Sequence, residues 1–198
     1  VAFVKNICIS NFRPLIIDKQ IDFRTDIEYD QYMAYFDPDK LDKIIYNLLS
    51  NAFKYTSQHG TIVVKISFVP RNDIILMRLS VADNGSGISE EDLPNVFKRF
   101  YISNSSDQSQ SHGIGLALTK ELVGLHKGNI QVKSQLNEGA VFTIEIPVSQ
   151  NAYGNEDKSE DYISSVIDSS LYDNDDIEIV KSELDEEHLT ILIVEDNR

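Results

Sequence analysis

Asparagine and lysine side chains recur at helical spacing in the segment that follows Asp39. Asn47 and Asn51 are four residues apart, and Lys54 follows three residues later, so all three lie along one edge of a helix. An Asn amide oxygen is the kind of neutral ligand that suits Mg²⁺, which keeps several waters while it binds phosphates. A lysine ammonium adds a point positive charge for the same phosphates. The pattern predicts either a magnesium–phosphate site or a solvated polar helix face.

A carboxylate and two glycines directly follow the segment 74–82, which alternates as a strand does. Asp83 could accept a hydrogen bond from an exocyclic amino group such as that of adenine. Gly85 and Gly87 would let the backbone approach a flat ring, because glycine has no side chain to obstruct it. The run Asp83-Asn84-Gly85 is also typical of a simple turn. Turn and binding site both remain open on these residues alone.

A third cluster stands where a Ser- and Asn-rich segment meets a predicted helix. It comprises Gly113, Ile114, Gly115 and Leu116. Backbone N–H groups at a helix start can bind an anion, and glycines permit close approach. The alternative is a loop-to-helix junction without a ligand. Since no strand precedes the cluster, a dinucleotide-binding fold is not expected.

Two kinds of hydrophobic periodicity define the elements that would position these clusters. Helices are predicted at 3–19 with a bend at Pro14, at 39–55 after a cap at Asp37, at 89–97 after a cap at Ser89, and at 115–126. Strands are predicted at 21–24, 32–36, 61–69, 74–82, 129–135 and 140–147, with a turn at 70–73 and a loop at 101–112. Helices and strands come in blocks, which favours an α+β fold: a two-layer α/β sandwich whose mixed, mostly antiparallel sheet has its helices on one face.

Composition and charge divide the 198 residues unevenly. The net charge of −14 argues against a nucleic-acid partner. Most of that charge lies in residues 150–188, which hold 13 acidic and 2 basic residues and have the composition of a solvated linker. Residues 189–198 predict a buried strand at the start of a further domain. Residues 1–149 form the first domain, and the single cysteine, Cys8, indicates a reducing, cytoplasmic setting.

Four segments, taken in order, resemble the sequence boxes of the catalytic ATP-binding domain of sensor histidine kinases. They are the N box at 47–56, the first glycine box at 83–88, the F box at 97–101 and the second glycine box at 113–116. The resemblance covers residues 1–148. It implies the Bergerat ATP-binding fold, which is shared with gyrase and with the heat-shock chaperone and mismatch-repair ATPases, and it implies ATP and Mg²⁺ as ligands.

The resemblance also implies roles for individual residues. Asn51 would be the Mg²⁺ ligand, Lys54 a phosphate contact and Asp83 the acceptor for the adenine amino group. Residues 101–112 would be the ATP lid. Further implied contacts of the nucleotide, the lid or a partner are Asn47, Tyr55, Gly85, Gly87, Ile88, Phe97, Lys98, Arg99, Phe100, Gly113, Ile114, Gly115 and Leu116. Ser111-His112 and Ala140-Val141 depart from the family's usual residues.

Position 47 separates two kinds of enzyme. By the resemblance, hydrolytic relatives have a Glu there as general base on water, whereas Asn47 cannot accept a proton near neutral pH. A sensor histidine kinase instead transfers the γ-phosphate to a histidine on an upstream dimerisation domain, and we expect His59, His112, His126 and His188 to be surface or core residues. A gyrase-type ATP hydrolase and a non-catalytic docking module of the same fold remain alternatives.

The last ten residues resemble the first strand of a receiver domain, with Glu195 and Asp196 at its end. The expected whole protein is therefore a hybrid kinase that forms a homodimer and carries its own receiver. No secretory signal or membrane span is found in the sequence, so a membrane would be reached only through segments upstream of this chain.

Overall fold

The computed structural model of the chain describes residues 11–28, 34–102 and 113–154. That part forms one five-stranded sheet with strand order β1-β2-β3-β5-β4. Strand β1 is parallel to β2, and the other neighbouring pairs are antiparallel. The elements are α1 (Arg13–Asp18), β1 (Asp22–Ile27), α2 (Pro38–Tyr55), β2 (Thr61–Arg71), β3 (Ile74–Asp83), α3 (Gly115–Leu125), β4 (Asn129–Gln135) and β5 (Gly139–Pro147). The predicted two-layer α+β architecture is confirmed.

The long helix α2 begins and packs as its sequence predicts. The Asp37 side chain accepts the Lys40 N–H at 2.9 Å, and Pro38 stands in the first turn, where its missing N–H costs nothing. The apolar stripe is fully or almost fully buried and comprises Leu41, Ile44, Ile45, Leu48, Leu49 and Ala52. Each such Leu or Ile contributes roughly 1.5–3 kcal/mol by leaving water. This burial fixes the rotation of α2 and hence the direction of its polar edge.

Two predicted elements in the middle of the chain differ from the structure. The hairpin turn is only Asn72-Asp73, with φ +52° at Asn72, because β2 continues through Arg71. The segment 89–97 contains a single 3₁₀ turn, Leu93–Asn95, instead of an α-helix. Ser89 Oγ does accept the Asp92 N–H at 3.2 Å, but the proline within the turn supplies no amide to extend a helix.

The remaining differences lie near the start of the described chain. Within the described part of the predicted strand 32–36, Phe36 makes an isolated bridge and the Tyr35 N–H donates to Val148 O at 2.9 Å. Helix α1 has its proline, Pro14, in the first turn. The rest of the predicted helix 3–19, up to residue 10, lies outside the described residues.

The chain stays packed against the sheet beyond residue 149. The 3₁₀ turn Gln150–Ala152 leads into Tyr153, which is 8% exposed and donates its hydroxyl to Pro147 O at 2.7 Å. Residues 150–154 of the predicted linker 150–188 are therefore packed against the domain rather than solvated, because Tyr153 is buried there. The rest of that linker and the predicted strand 189–198 lie outside the described residues. Among the helices described, none has the length and apolar character needed to cross a membrane.

Candidate functional site

The C-terminal end of α2 is joined directly to the loop 83–88. Tyr55 O accepts the Ser86 N–H at 3.3 Å. A Cβ placed on Gly85 would lie 2.4 Å from the same carbonyl oxygen, which is closer than any real side chain tolerates. Glycine is therefore required at position 85 by the approach of two backbone segments, whether or not a ligand is present.

Asp83 stands at the end of β3 beside that contact. Its Oδ1 accepts the Gly85 N–H at 2.9 Å. Partial burial raises the pKa of the Asp83 carboxyl, while backbone hydrogen bonds with Gly85 and Ala140 act in the opposite direction. The loop thus holds a carboxylate with its orientation fixed, and such a group can accept a hydrogen bond from a ligand amine.

The turn between β4 and β5 supports the same loop from the other side. Asn137 N–H donates to Ser86 O at 2.7 Å, and Ile88 N–H donates to Ser134 Oγ at 2.8 Å. Gly87 has φ +66°, and a Cβ there would lie 2.0 Å from Gln135 O. Sequence reasoning missed Ser134, because no spacing rule links a serine to an amide 46 residues away.

The polar edge of α2 carries an ammonium group that has no hydrogen-bond partner in the described part of the chain. Asn47, Asn51 and Lys54 are all half-buried along one edge of the helix, as their spacing predicts. Among the described residues, Lys54 Nζ is buried and has no hydrogen-bond partner, and it lies 5.3 Å from the centroid of the Tyr55 ring. A buried ammonium is costly unless it is paired. A phosphate oxygen would be a suitable partner, since charge-assisted bonds of this kind are strong.

The start of α3 meets this edge. Asn47 Nδ2 donates to Gly115 O at 3.4 Å, and a Cβ on Gly115 would still have room, 3.5 Å from Asn47 Oδ1. Gly113 has φ +64°. Ile114 is 46% exposed, whereas Leu116 packs against the core. The second glycine segment and the N-box segment are therefore brought together at Asn47.

The two phenylalanines predicted to anchor the lid differ in their surroundings. Phe97 packs against the core and lies edge-on to Phe142 at 6.4 Å between ring centroids. The Phe100 side chain is 73% exposed, with φ +63°. It is the backbone N–H of Phe100 that donates to Gly113 O, at 2.8 Å. The Phe100 ring thus faces solvent while Phe97 is held by the core, and its role as an anchor of residues 101–112 stays a prediction because residues 103–112 lie outside the described residues.

The other predicted contacts of this segment face solvent. Arg99 pairs with Glu121 of α3 at 2.5 Å, and Lys98 is exposed. Residues 103–112, which include most of the predicted lid, lie outside the described residues. Within residues 11–28, 34–102 and 113–154, no group of three or more His, Cys, Asp or Glu side chains could hold a metal. An amide oxygen such as that of Asn51 is the kind of donor that would suit Mg²⁺, since this ion keeps waters and phosphate ligands.

Comparison with known proteins assigns the chain to a family. Residues 36–150, more than half of the chain, match the family described as histidine kinase-, DNA gyrase B- and HSP90-like ATPases. The chain is 39% identical over 133 residues to the circadian input-output histidine kinase CikA of Synechocystis, covering 66% of this chain and 17% of that protein. It is 32% identical to histidine kinase P4 of Formosa agariphila, covering all of this chain and 15% of that protein.

Among solved structures, the catalytic domain of histidine kinase ThkA has the same fold. The TM-score is 0.65 at 23% identity, and the match covers 77% of this chain and 94% of that one. The fold and the family match define an ATP-binding domain built as an α/β sandwich. The chain belongs to the histidine kinase-, gyrase B- and HSP90-like ATPase family, and within it the chain is a catalytic ATP-binding domain of the histidine kinase type. It spans only about a sixth of the two curated relatives above.

Proposed function

We propose that this domain binds Mg·ATP between α2, the loop 83–88 and the start of α3, and that it donates the γ-phosphate to a histidine on a separate domain. Asp83 would accept the adenine amino group, Lys54 would pair with a phosphate, and Asn51 would hold the magnesium ion. The ion, when bound, would neutralise phosphate charge. The chain's own contribution is positioning and charge stabilisation, which is the main source of catalysis in phosphoryl transfer.

One observation carries this proposal: the Lys54 ammonium is buried and, among the described residues, has no hydrogen-bond partner or counter-ion, with only the face of the Tyr55 ring nearby. A structural lysine would pair with a carboxylate or carbonyl, because an unpaired buried charge is costly. Gly115 leaves room beside the polar edge of α2, since even a Cβ there would lie 3.5 Å from Asn47 Oδ1. An anion supplied from outside the chain would satisfy this arrangement.

Asn47 favours a kinase over a hydrolase. Its amide group donates to Gly115 O and cannot take a proton from water near neutral pH. The bound γ-phosphate would therefore persist until a better nucleophile arrives. The comparisons also favour the kinase, since the curated relatives reported above are histidine kinases.

The acceptor histidine would lie on another domain. His126 is 3% exposed and both of its ring nitrogens are engaged, with Leu122 O and with the Asp37 N–H. His59 is exposed in a turn with φ +62°. His112 and His188 lie outside the described residues. A buried imidazole with both ring nitrogens hydrogen-bonded is a poor acceptor of a phosphoryl group. This supports an upstream dimerisation domain as the source of the acceptor histidine.

The wider setting is part of the same proposal. The match to histidine kinase P4 runs over the whole chain, which supports a larger two-component protein in which the segment beyond the packed residues 150–154 tethers a receiver that begins at residue 189. We also propose that this kinase domain lies in the cytoplasm and belongs to a homodimer, which would reach a membrane only through segments upstream of this chain.

The adenine contact provides the test. In competition calorimetry, the unmodified chain should bind Mg·AMPPNP and prefer it to the guanine analogue, and Asp83→Asn should lose that preference because an amide presents a donor where a carboxylate presented only acceptors. Equal binding of both analogues by the unmodified chain would contradict the role of Asp83. Transfer itself is tested by adding a histidine-bearing dimerisation domain of a related kinase and measuring acid-labile phosphate; steady phosphate release without that domain would favour the hydrolase.

A further inference from the structure

The turn between α1 and β1 places Lys19 against the C-terminal end of α2. Lys19 Nζ donates to Phe53 O at 2.6 Å and to Thr56 O at 3.1 Å. The carbonyl of Lys19 accepts the His59 N–H at 2.9 Å. One residue, far from α2 in sequence, thus contacts both the last turn of the helix and the turn that follows it.

These contacts satisfy carbonyl groups that the helix cannot satisfy itself. The last four C=O groups of an α-helix have no intrahelical partner. Lys19 takes Phe53 O and Thr56 O, and the Ser86 N–H takes Tyr55 O between them. A cation at a helix C-terminus is also favoured by the helix dipole. The end of α2 is therefore held from one side by Lys19 and from the other by the loop 83–88.

The residues enclosed by these contacts are the ones that face the proposed nucleotide. Lys54 and Tyr55 follow Phe53 and precede Thr56, so the two Lys19 hydrogen bonds bracket them. The Tyr55 carbonyl lies against Gly85, and the Gly85 N–H bonds the Asp83 carboxylate. A shift of this helix end would move Lys54 and the loop that carries Asp83 together.

We propose that Lys19 is a positioning residue for nucleotide binding, acting through the end of α2 on Lys54 and on the loop 83–88. The proposal rests on the ATP-binding role proposed above. It predicts an effect on affinity as well as on stability, because residues in one hydrogen-bond network are energetically coupled. A lysine that only capped the helix would change stability and leave the affinity of the folded domain unchanged.

Three variants of the chain test this role: Lys19→Met, Lys19→Arg and a matched control, Lys43→Met. The control removes an exposed lysine from α2, the helix whose end Lys19 contacts. The affinity for Mg·AMPPNP is measured by calorimetry well below each melting temperature, and the Ser86 amide resonance is followed by NMR without nucleotide. We expect Lys19→Met to bind about fivefold more weakly, within the coupling range of such networks, and to shift the Ser86 resonance. Lys19→Arg should stay within about twofold, since arginine keeps charge and donors, and Lys43→Met should be unchanged.

Binding by Lys19→Met at the unmodified affinity would overturn the role of Lys19 and leave the proposed ATP binding intact. Failure of the unmodified chain to bind would overturn both. If Lys19→Met does not fold, Lys19→Gln, which keeps a neutral donor, is compared in the same way, and unchanged affinity would again overturn the inference.

Discussion

The two sides of the proposed nucleotide site are built differently. The sheet-side wall, formed by the end of α2 and the loop 83–88, has its backbone groups bonded to β2, to α2 and to the β4–β5 turn, and its glycines are in close contact with neighbouring carbonyls. The loop-side wall, formed by residues 97–102 and 113–118, exposes apolar side chains, among them Phe100 at 73%, Ile114 at 46% and Leu118 at 38%.

This difference separates two tasks. The sheet-side wall is fixed by the protein itself, so it can present Asp83 in one orientation before any ligand arrives. In the described part of the chain, the loop-side wall meets α2 through the long 3.4 Å hydrogen bond of Asn47 to Gly115 O, and a ligand would supply further contacts there. Substitutions in the first wall should therefore change folding stability and binding together, and substitutions in the second should change binding with little effect on stability.

The largest effect is expected at Asn51, which lies on the α2 edge between the two walls. Asn51→Ala should weaken binding of Mg·AMPPNP on the order of 100-fold, the upper range for losing one oriented group around a metal. The substitution should also abolish the difference between the nucleotide affinity measured with magnesium and the affinity measured after EDTA has removed the magnesium. Calorimetry under both conditions measures this.

Asn129→Ala is the matched control, because Asn129 is exposed at the start of β4, away from the α2 edge. Its affinity should equal that of the unmodified chain. Unaltered magnesium dependence in Asn51→Ala would remove Asn51 from the site and leave the two walls without their proposed common ligand.

The sheet-side wall is broken most directly at Gly85. Gly85→Ala forces a methyl group to within 2.4 Å of Tyr55 O and should lower the free energy of unfolding by about 1–3 kcal/mol as well as weaken nucleotide binding. Gly124→Ala is the matched control: a Cβ there meets nothing within 4 Å, and alanine in a helix should add about 0.5–1 kcal/mol. Chemical denaturation and calorimetry measure both variants. Equal stability of the two would show that the wall is not held by this contact.

A pH effect is expected at His126, which joins the far end of α3 to the start of α2. Burial lowers the pKa of His126 below its ordinary 6.5, despite hydrogen bonds and the nearby Asp37 that favour the cation, with Lys40 acting alongside burial. The neutral ring accepts the Asp37 N–H, which a protonated ring could not do.

The folded state therefore binds this proton less tightly than the unfolded state. The stability contributed by neutral His126 is fully present above pH 6.5 and falls below it, by up to roughly 1.4 kcal/mol per pH unit, until the lowered pKa is passed. His126→Gln should flatten this part of the stability profile. Denaturation of the variant and of the unmodified chain between pH 7.5 and pH 5 measures this, a range that extends about one to two pH units on either side of the ordinary histidine pKa. Hydrogen exchange in α3 should rise before exchange in α2, since the loop-side wall is the less bonded. Identical pH profiles for the two proteins would refute the role of His126.

Much of the sheet-side wall could be predicted because its signals are local. The apolar stripe and the cap at Asp37 define α2, and the spacing of Asn47, Asn51 and Lys54 places them on one edge. The glycines at 85 and 87 were predicted to allow close approach, and they do so, but toward Tyr55 O and Gln135 O of the protein itself. The sequence pattern identifies a position where no side chain can be accommodated. It does not identify whether a ligand or another segment of the protein approaches the backbone there.

The parts that sequence could not supply depend on distant contacts. Lys19 and Ser134 reach partners 34 and 46 residues away, and no periodicity records such a pairing. The segment 89–97 has the cap of a helix, but Pro94 removes an amide and a 3₁₀ turn forms instead. The aromatic pair in the F box was assigned one role, yet burial gives the two rings opposite surroundings, because burial is set by the assembled core.

The smallest effect is expected on the surface of the loop-side wall, at the ion pair between Arg99 and Glu121. The two side chains are 66% and 52% exposed, so breaking the pair should change the free energy of unfolding by only about 0.2–1 kcal/mol. Arg99→Ala and Glu121→Ala remove the same pair, and equal small losses of stability are expected from both. Nucleotide affinity separates them: if Arg99 also attracts phosphate, Arg99→Ala weakens binding while Glu121→Ala frees the guanidinium and strengthens it. Equal nucleotide affinities of the two variants would show that the pair is only a surface contact. Phosphate binding would then depend on Lys54 among the lysines and arginines described for the proposed site.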